Sequence, residues 1–249
     1  MLETLAIVQA CFNSPRSRAN ASRRLGGKSV LEWVVRRVTD CQQVSGAIVV
    51  TSDSPEDRSL AELVPLDVPV LAGPAGDALE RFATALEEYP AESVVRVRAD
   101  YPFVDPTLID RLVTTTRAHP ECDYASYCSR DGRPAILSPV GMYAEWFRGV
   151  ALRRAVRKAR TIADRADPTR YIYSHPEQFN LRFIPAPPQI DRDDVRLTVD
   201  IEEDWEHAIT IFEALGPEEL DWQRIARLLD HQPAMRERMA TLNRSHAKG

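Results

Sequence analysis

Leu5-Ala6-Ile7-Val8-Gln9-Ala10, running into a polar, basic stretch that closes on Gly26-Gly27-Lys28, is where the fold is decided. The hexad is an apolar run of strand length, and the stretch beginning at Cys11 has the polarity of a loop. Ser29 can cap the next helix, in which Val30, Leu31, Val34, Val35 and Val38 share one face until about Asp40. Residues 47–51 then read as a second buried strand. A strand, loop, helix and strand in this order, repeated, build a parallel sheet with helices on both faces.

The repetition is present. Residues 60–64 read as a helix, 68–71 as a strand, 78–89 as a helix and 93–97 as a strand. Pro106 opens a helix with apolar positions Leu108, Ile109, Leu112 and Val113, and 124–128 returns to the sheet. Beyond a polar turn at 129–134, residues 136–146 are apolar and extended, and a helix over 148–159 leads into a charged linker. Residues 180–184 and 196–199 are expected as two closing strands, with helices over 202–215, 222–229 and 233–242 after them. The sequence thus predicts an α/β protein of three αβα layers around a mostly parallel sheet. One domain is expected over 1–249, with its core at about 4–215, C-terminal helices within 216–242 and a frayed tail at 243–249.

The 249 residues, 44% hydrophobic and 28% charged, suffice for one large core. A formal net charge of −5 gives no general attraction to nucleic acid or to an anionic membrane, so neither is expected as a partner. Phosphate binding has to be local. No segment approaches about 18 consecutive apolar residues, and MLETLAIVQA lacks the basic region and cleavage site of a signal peptide, so a cytoplasmic location is expected. Cys11, Cys41, Cys122 and Cys128 have neither zinc-site spacing nor the density of a disulfide framework. The histidines form no cluster, and the dinucleotide fingerprint, the P-loop and the GxSxG elbow are all absent.

Ligands of open α/β sheets sit at the carboxyl ends of the strands. The loop after the first strand carries Arg16, Arg18, Arg23, Arg24 and Lys28 with no acid among them, which suits a phosphate cradle, with a solvated basic loop as the lesser alternative. The strand at 93–97 ends in Arg96-Val97-Arg98-Ala99-Asp100, placing Asp100 where a carboxylate can hold a divalent cation. Magnesium takes one or two carboxylates together with phosphate oxygens, and Asp200, after Leu197-Thr198-Val199, fits as the second acid. Asp200-Ile201-Glu202-Glu203 is also a capping pattern for the next helix, and Asp105 before Pro106 reads as a helix cap.

In order and spacing, Ile7-Val8-Gln9-Ala10, Leu25-Gly26-Gly27-Lys28, Thr51-Ser52-Asp53, Gly73 with Asp77 and Arg81-Phe82, Asp100-Tyr101-Pro102, and Leu197-Thr198-Val199-Asp200 with Glu203-Asp204 carry a resemblance. From about residue 5 to 215 the chain resembles the cytidylyltransferase group that includes CMP-KDO synthetase and the spore coat polysaccharide biosynthesis protein F family. The resemblance implies a nucleotide-diphosphosugar transferase-like (Rossmann-like) fold. It also implies a reaction in which a sugar hydroxyl attacks the α-phosphorus of CTP and pyrophosphate leaves, with Mg2+ as cofactor. Asp100 and Asp200 would be the metal ligands and, with Arg16, the catalytic residues. Gln9, Ala10, Ser14, Arg16, Arg18, Lys28 and Asp77 would bind the nucleotide, and Tyr143 and Glu145 the sugar substrate. A homodimer is expected, formed through 136–146.

The departures from that pattern are specific. Where such families read RMGSTRLPGK after the QA pair, this chain reads Cys11-Phe12-Asn13-Ser14-Pro15-Arg16-Ser17-Arg18-Ala19-Asn20. Ser14 and Arg16 match, whereas Cys11 and Asn20 replace the loop's arginine and lysine. Losing one preorganised donor to the charge that develops in such a reaction costs roughly 3–4 kcal/mol. Gly141-Met142-Tyr143-Ala144-Glu145 stands in place of GLDVE, and Ala166-Asp167 in place of an EH pair. Two functions are therefore expected. One is a nucleotidyltransferase moving CMP from CTP to a sugar or sugar acid for surface polysaccharide. The other is a catalytically impaired relative that binds a nucleotide or nucleotide sugar, or serves as a partner subunit. A glycosyltransferase fits less well, because its DxD element would need an acid where Pro102 stands.

Overall fold

Side-chain alternation along the first strand sets up the two faces of the sheet. In the computed structural model, which describes residues 1–12 and 14–246, β1 (Leu2–Ala10) sends Ala6, Val8 and Ala10 into one buried cluster and Leu5 and Ile7 into another. A strand that is apolar at nearly every position is one covered on both sides. After β1 come α1 (Pro15–Ser22), a tight hairpin of β2 (Arg24–Leu25) and β3 (Lys28–Ser29), and α2 (Val30–Thr39). Ser29 caps α2, its Oγ accepting from the Glu32 N–H at 3.0 Å. The chain continues through β4 (Gly46–Ser52), β5 (Val70–Gly73), α3 (Ala78–Glu88), β6 (Ala91–Arg98) and α4 (Pro106–Arg117). Asp105 caps α4 ahead of Pro106 by accepting from the Thr107 and Leu108 N–H groups. Next are β7 (Tyr124–Cys128), β8 (Glu145–Arg148), α5 (Gly149–Lys158), α6 (Ile162–Ala166), α7 (Arg170–Tyr173) and β9 (Leu181–Pro185). Three helices end the described chain: α8 (Glu202–Leu215), α9 (Trp222–Asp230) and α10 (Pro233–His246).

Seven strands form one sheet in the order β5-β4-β1-β6-β8-β7-β9. β8 is antiparallel to both β6 and β7, and the other pairings are parallel. α2, α4 and the C-terminal helices cover the face of Val8, while α3 and α5 cover the face of Ile7. This is the three-layer, mostly parallel α/β architecture that the sequence predicts. Among the described residues no helix is long and apolar enough to cross a membrane.

Several local expectations change. Residues 60–63 belong to a 3-10 turn (Arg58–Leu63) in which only Leu60 is buried, too small an apolar face to hold an α-helix, and Val64 follows in extended backbone. The loop after β1 contains α1, started by Ser14 at the cap and Pro15 at the first turn. Residues 136–146 do not form one extended element. Val140, Met142, Tyr143 and Ala144 are buried, so apart from Leu137 this stretch has little apolar surface for the dimer contact expected there. Residues 196–199 are no strand: they cross the strand ends, with the Leu197 N–H on the Pro139 carbonyl and the Val199 N–H on the Asp100 carbonyl. Of the tail expected at 243–249, residues 243–246 continue α10, and 247–249 lie outside the described residues.

Candidate active site

The chain beyond β1, β4, β5 and β6 opens into a single cleft of about 390 Å³. Cys11 and Phe12 line it after β1, Ser52, Ser54 and Asp57 after β4, Ala75 and Gly76 after β5, and Arg98 and Asp100 at the end of β6. These four strands are neighbours and parallel, so their carboxyl ends share one edge, the place where such sheets bind ligands.

Asp100 and Asp200 both line the cleft, close enough for the charge of Asp100 to act on the Asp200 carboxyl. The Val199 N–H donates to the Asp100 carbonyl at 3.0 Å, which ties the two backbones together. Gly141 lets the Asp200 segment in. Its φ is +67°, and a Cβ there would stand 2.8 Å from the Thr198 nitrogen and 2.9 Å from the Leu197 carbonyl carbon. The capping of α8 falls to Asp204, whose Oδ2 accepts from the Asp200 and Ile201 N–H groups at 3.0 and 3.2 Å. Asp200 is therefore free of the capping duty its sequence context suggested, and its side chain is 39% exposed. Burial opposes ionisation of Asp100, but the charge and hydrogen bonds of Arg98 outweigh it and hold that carboxyl below its ordinary range. Burial, with the charge of Asp100 second, pushes Asp200 up. An acid whose ionisation is opposed by a neighbouring carboxylate gains from a cation placed beside both.

Beneath the cleft, on the face of Ile7, lies a buried network dictated by strand register. Arg96 is the cross-strand partner of Ile7 on one side and Glu145 on the other. Its guanidinium reaches Glu145 at 2.7 Å, Asp167 at 3.0 Å, the Thr169 hydroxyl at 3.0 Å and the Gln9 side-chain carbonyl at 2.8 Å. Glu145 also accepts from the Tyr124 hydroxyl and from Thr169. Burial lifts the Glu145 carboxyl above its usual range, whereas at Asp167 Arg96 overcomes burial and lowers it.

A family model described as cytidylyltransferase matches residues 5–235. The chain belongs to the cytidylyltransferase family. It is similar to the spore coat polysaccharide biosynthesis protein SpsF of Bacillus subtilis, 27% identical over 241 residues that cover 94% of this chain and 96% of that one. An uncharacterised protein of Methanocaldococcus jannaschii is 28% identical over 236 residues, covering 94% and 93%. Among solved structures, a cytidylyltransferase from Leptospira borgpetersenii superposes with a TM-score of 0.83 at 20% identity, covering 94% of this chain and 97% of that chain.

Of the residues that sequence singles out within this family pattern, the cleft is lined by Gln9, Arg18, Asp100 and Asp200. Arg18 is tied to Asp57 by a 2.7 Å ion pair. Arg16 lies exposed on α1, away from the lining, and Ser14 is occupied in capping that helix. Ala10 is wholly buried, and Lys28 rests its Nζ 5.1 Å from the Trp33 ring centroid. Asp77 caps α3 and pairs with Arg165 at 2.6 Å. Tyr143 and Glu145 need correction as sugar contacts. Tyr143 is packed on Tyr127 with 1% of its surface exposed, and Glu145 is sealed beneath Arg96 with none.

Asp167, Arg96, Arg98 and Arg81, which the sequence offered without a binding or catalytic role, line the cleft as well. Arg98 and Asp100 had a signal, since residues two apart at a strand end point to one side. Arg81 had none. Gly73 leaves room for its stem, a Cβ there falling 2.9 Å from the Arg81 Cγ, and the guanidinium ends beside the Cys11 thiol and the Pro74 carbonyl. Arg81 is 4% exposed, its Nε has no partner, and among the described residues it forms no ion pair. A buried guanidinium with donors to spare is an anion site in waiting.

Proposed function

We propose that this protein is a magnesium-dependent cytidylyltransferase that moves CMP from CTP to a sugar or sugar acid destined for surface polysaccharide. The observation that carries the reading is the meeting of Asp100 and Asp200 at a cleft also lined by Arg18, Arg81 and Arg98. Two hard carboxylates suit magnesium, which completes its shell with phosphate oxygens. Among the described residues no group of three or more His, Cys, Asp or Glu side chains is placed to hold a metal, so the two-carboxylate form is the one available. Bound there, magnesium would neutralise the triphosphate and polarise its oxygens.

In this reading Arg81 and Arg18 receive the phosphates, and Gln9, held by Arg96, presents its side chain to the nucleotide at the end of β1. The sugar hydroxyl attacks the α-phosphorus, the bond to the bridging oxygen breaks, and pyrophosphate leaves with the electron pair. A homodimer remains part of the proposal on family resemblance, with its contact elsewhere than 136–146.

The test is pyrophosphate release from CTP and Mg2+ with a panel of sugars and sugar acids. Wild type is expected to turn over, and Asp100→Asn to lose at least about a hundredfold in kcat. One observation favours the impaired homologue instead. Cys11 carries no charge, and Asn20 is buried with its amide committed to the Val199 carbonyl at 3.2 Å, so neither supplies the loop's missing cation. Tight CTP binding without turnover would select that reading, and gain of turnover in Cys11→Arg with Asn20→Lys would trace the defect to the loop.

A further inference from the structure

Arg98 stands where a cation belongs. Its Nε and Nη2 donate to the two Asp100 oxygens at 3.1 and 2.7 Å, so the carboxylate a metal would use is already clasped on both sides. The Arg98 side chain is 41% exposed and that of Asp100 8%, so of the two cleft-lining partners the guanidinium is the more open to solvent. Among the described residues Asp100 is its one ion-pair partner. Its other support is the face of the Tyr101 ring, with Cζ 5.3 Å from the centroid. Arg96 supplies the contrast: two residues earlier on the same strand, it has a side chain 4% exposed and is fixed by two carboxylates, a hydroxyl and an amide. Arg96 is built in, whereas Arg98 can be displaced.

We propose that in the ligand-free protein Arg98 occupies the Asp100 carboxylate that a divalent cation would use, so that metal enters together with the nucleotide and the released guanidinium turns onto the triphosphate. The inference rests on the metal-dependent reading of the site. A lone divalent ion has to expel a bidentate arginine and leaves it without a counter-charge. A metal–nucleotide complex brings its own negative charge for that arginine to meet. The displaced guanidinium then supplies one of the two cations absent at positions 11 and 20.

The experiment measures Mn2+ binding by electron paramagnetic resonance in wild type, Arg98→Gln, Arg98→Lys and Asp100→Asn, without nucleotide and with CTP. Without nucleotide, Arg98→Gln is expected to bind Mn2+ on the order of tenfold tighter than wild type, about 1.4 kcal/mol for one charge pair removed. Arg98→Lys, which keeps the charge without the fork, should fall between them. With CTP the order reverses, because the wild type keeps a guanidinium for the phosphates. Equal Mn2+ affinity in wild type and Arg98→Gln, alongside CTP binding that still needs metal and Asp100, overturns the role of Arg98 alone. CTP binding indifferent to both metal and Asp100 overturns the metal-dependent reading and this inference with it.

Discussion

Arg81 illustrates how a single side chain can carry cost in the empty protein and return it on binding. Its guanidinium is buried without a carboxylate and with Nε unpartnered, so a phosphate would satisfy donors that the chain leaves open. Arg81→Met is expected to weaken CTP binding by about ten- to a hundredfold, since a hydrogen bond to a charged group is worth about 1.5–3 kcal/mol. Calorimetric titration checks this, and unchanged affinity would remove Arg81 from the phosphate site. Cys11, beside it, has its thiol pushed up to about 11, chiefly by burial. Its alkylation should therefore be slow at pH 7 and accelerate about tenfold per pH unit up to about pH 10, with CTP protecting it. Labelling coupled to mass spectrometry reads both effects. At this scale the sequence disclosed Asp100 and Asp200, because position past a strand end is a local property. It could not disclose where the Arg81 guanidinium ends or the sealing of Glu145. The first depends on a side chain crossing from α3 over Gly73, and the second on which residues of β6 and β8 face each other.

Elements explain why Asp200 is presented at all. Asp204 takes both the cap of α8 and the Arg196 guanidinium, at 2.6 and 2.8 Å, with exposures of 0% and 4% for the two side chains. Loss of the Asp204 charge leaves Arg196 with only the longer 3.5 Å pair to Asp200, so Asp204→Asn is expected to destabilise by about 2–4 kcal/mol in urea unfolding. Turnover should fall as well, because the segment bearing Asp200 loses its anchor. Gly141→Ala strikes the same segment from the other side, where backbone already lies against backbone. It should lower kcat more than it raises the KM for CTP, a split that steady-state kinetics measures. Most strands were legible here because uninterrupted apolar runs leave little choice when both faces are covered. The alternating run Arg196-Leu197-Thr198-Val199 is buried for another reason. It crosses the strand ends beneath Gly141, and periodicity cannot distinguish that from a place in the ladder.

The whole molecule gathers four strand ends, four aspartates and four arginines around one cleft at the edge of a sheet whose two faces are closed by separate helix layers. Its alternation of strands and helices is regular enough for sequence to give the architecture. The antiparallel β8 and the short α1 escaped because neither has a signature beyond four to eight residues. A ligand that bridges several strand ends stabilises the whole sheet. Mg2+ with CTP at about a hundred times its Kd should add about 2.7 kcal/mol and raise Tm by about 5–10 °C, against a smaller rise with CTP alone. Thermal scans that show no difference between CTP with and without the metal would speak against a shared site. The Asn20 amide on the Val199 carbonyl joins residues far apart in the chain, and Arg23 adds a 2.6 Å pair to Glu202 on the same side. The mouth of the cleft is thus latched to its own floor: whatever tugs the basic lip inward carries the second carboxylate along in the same stroke, and a brace on either one stills both.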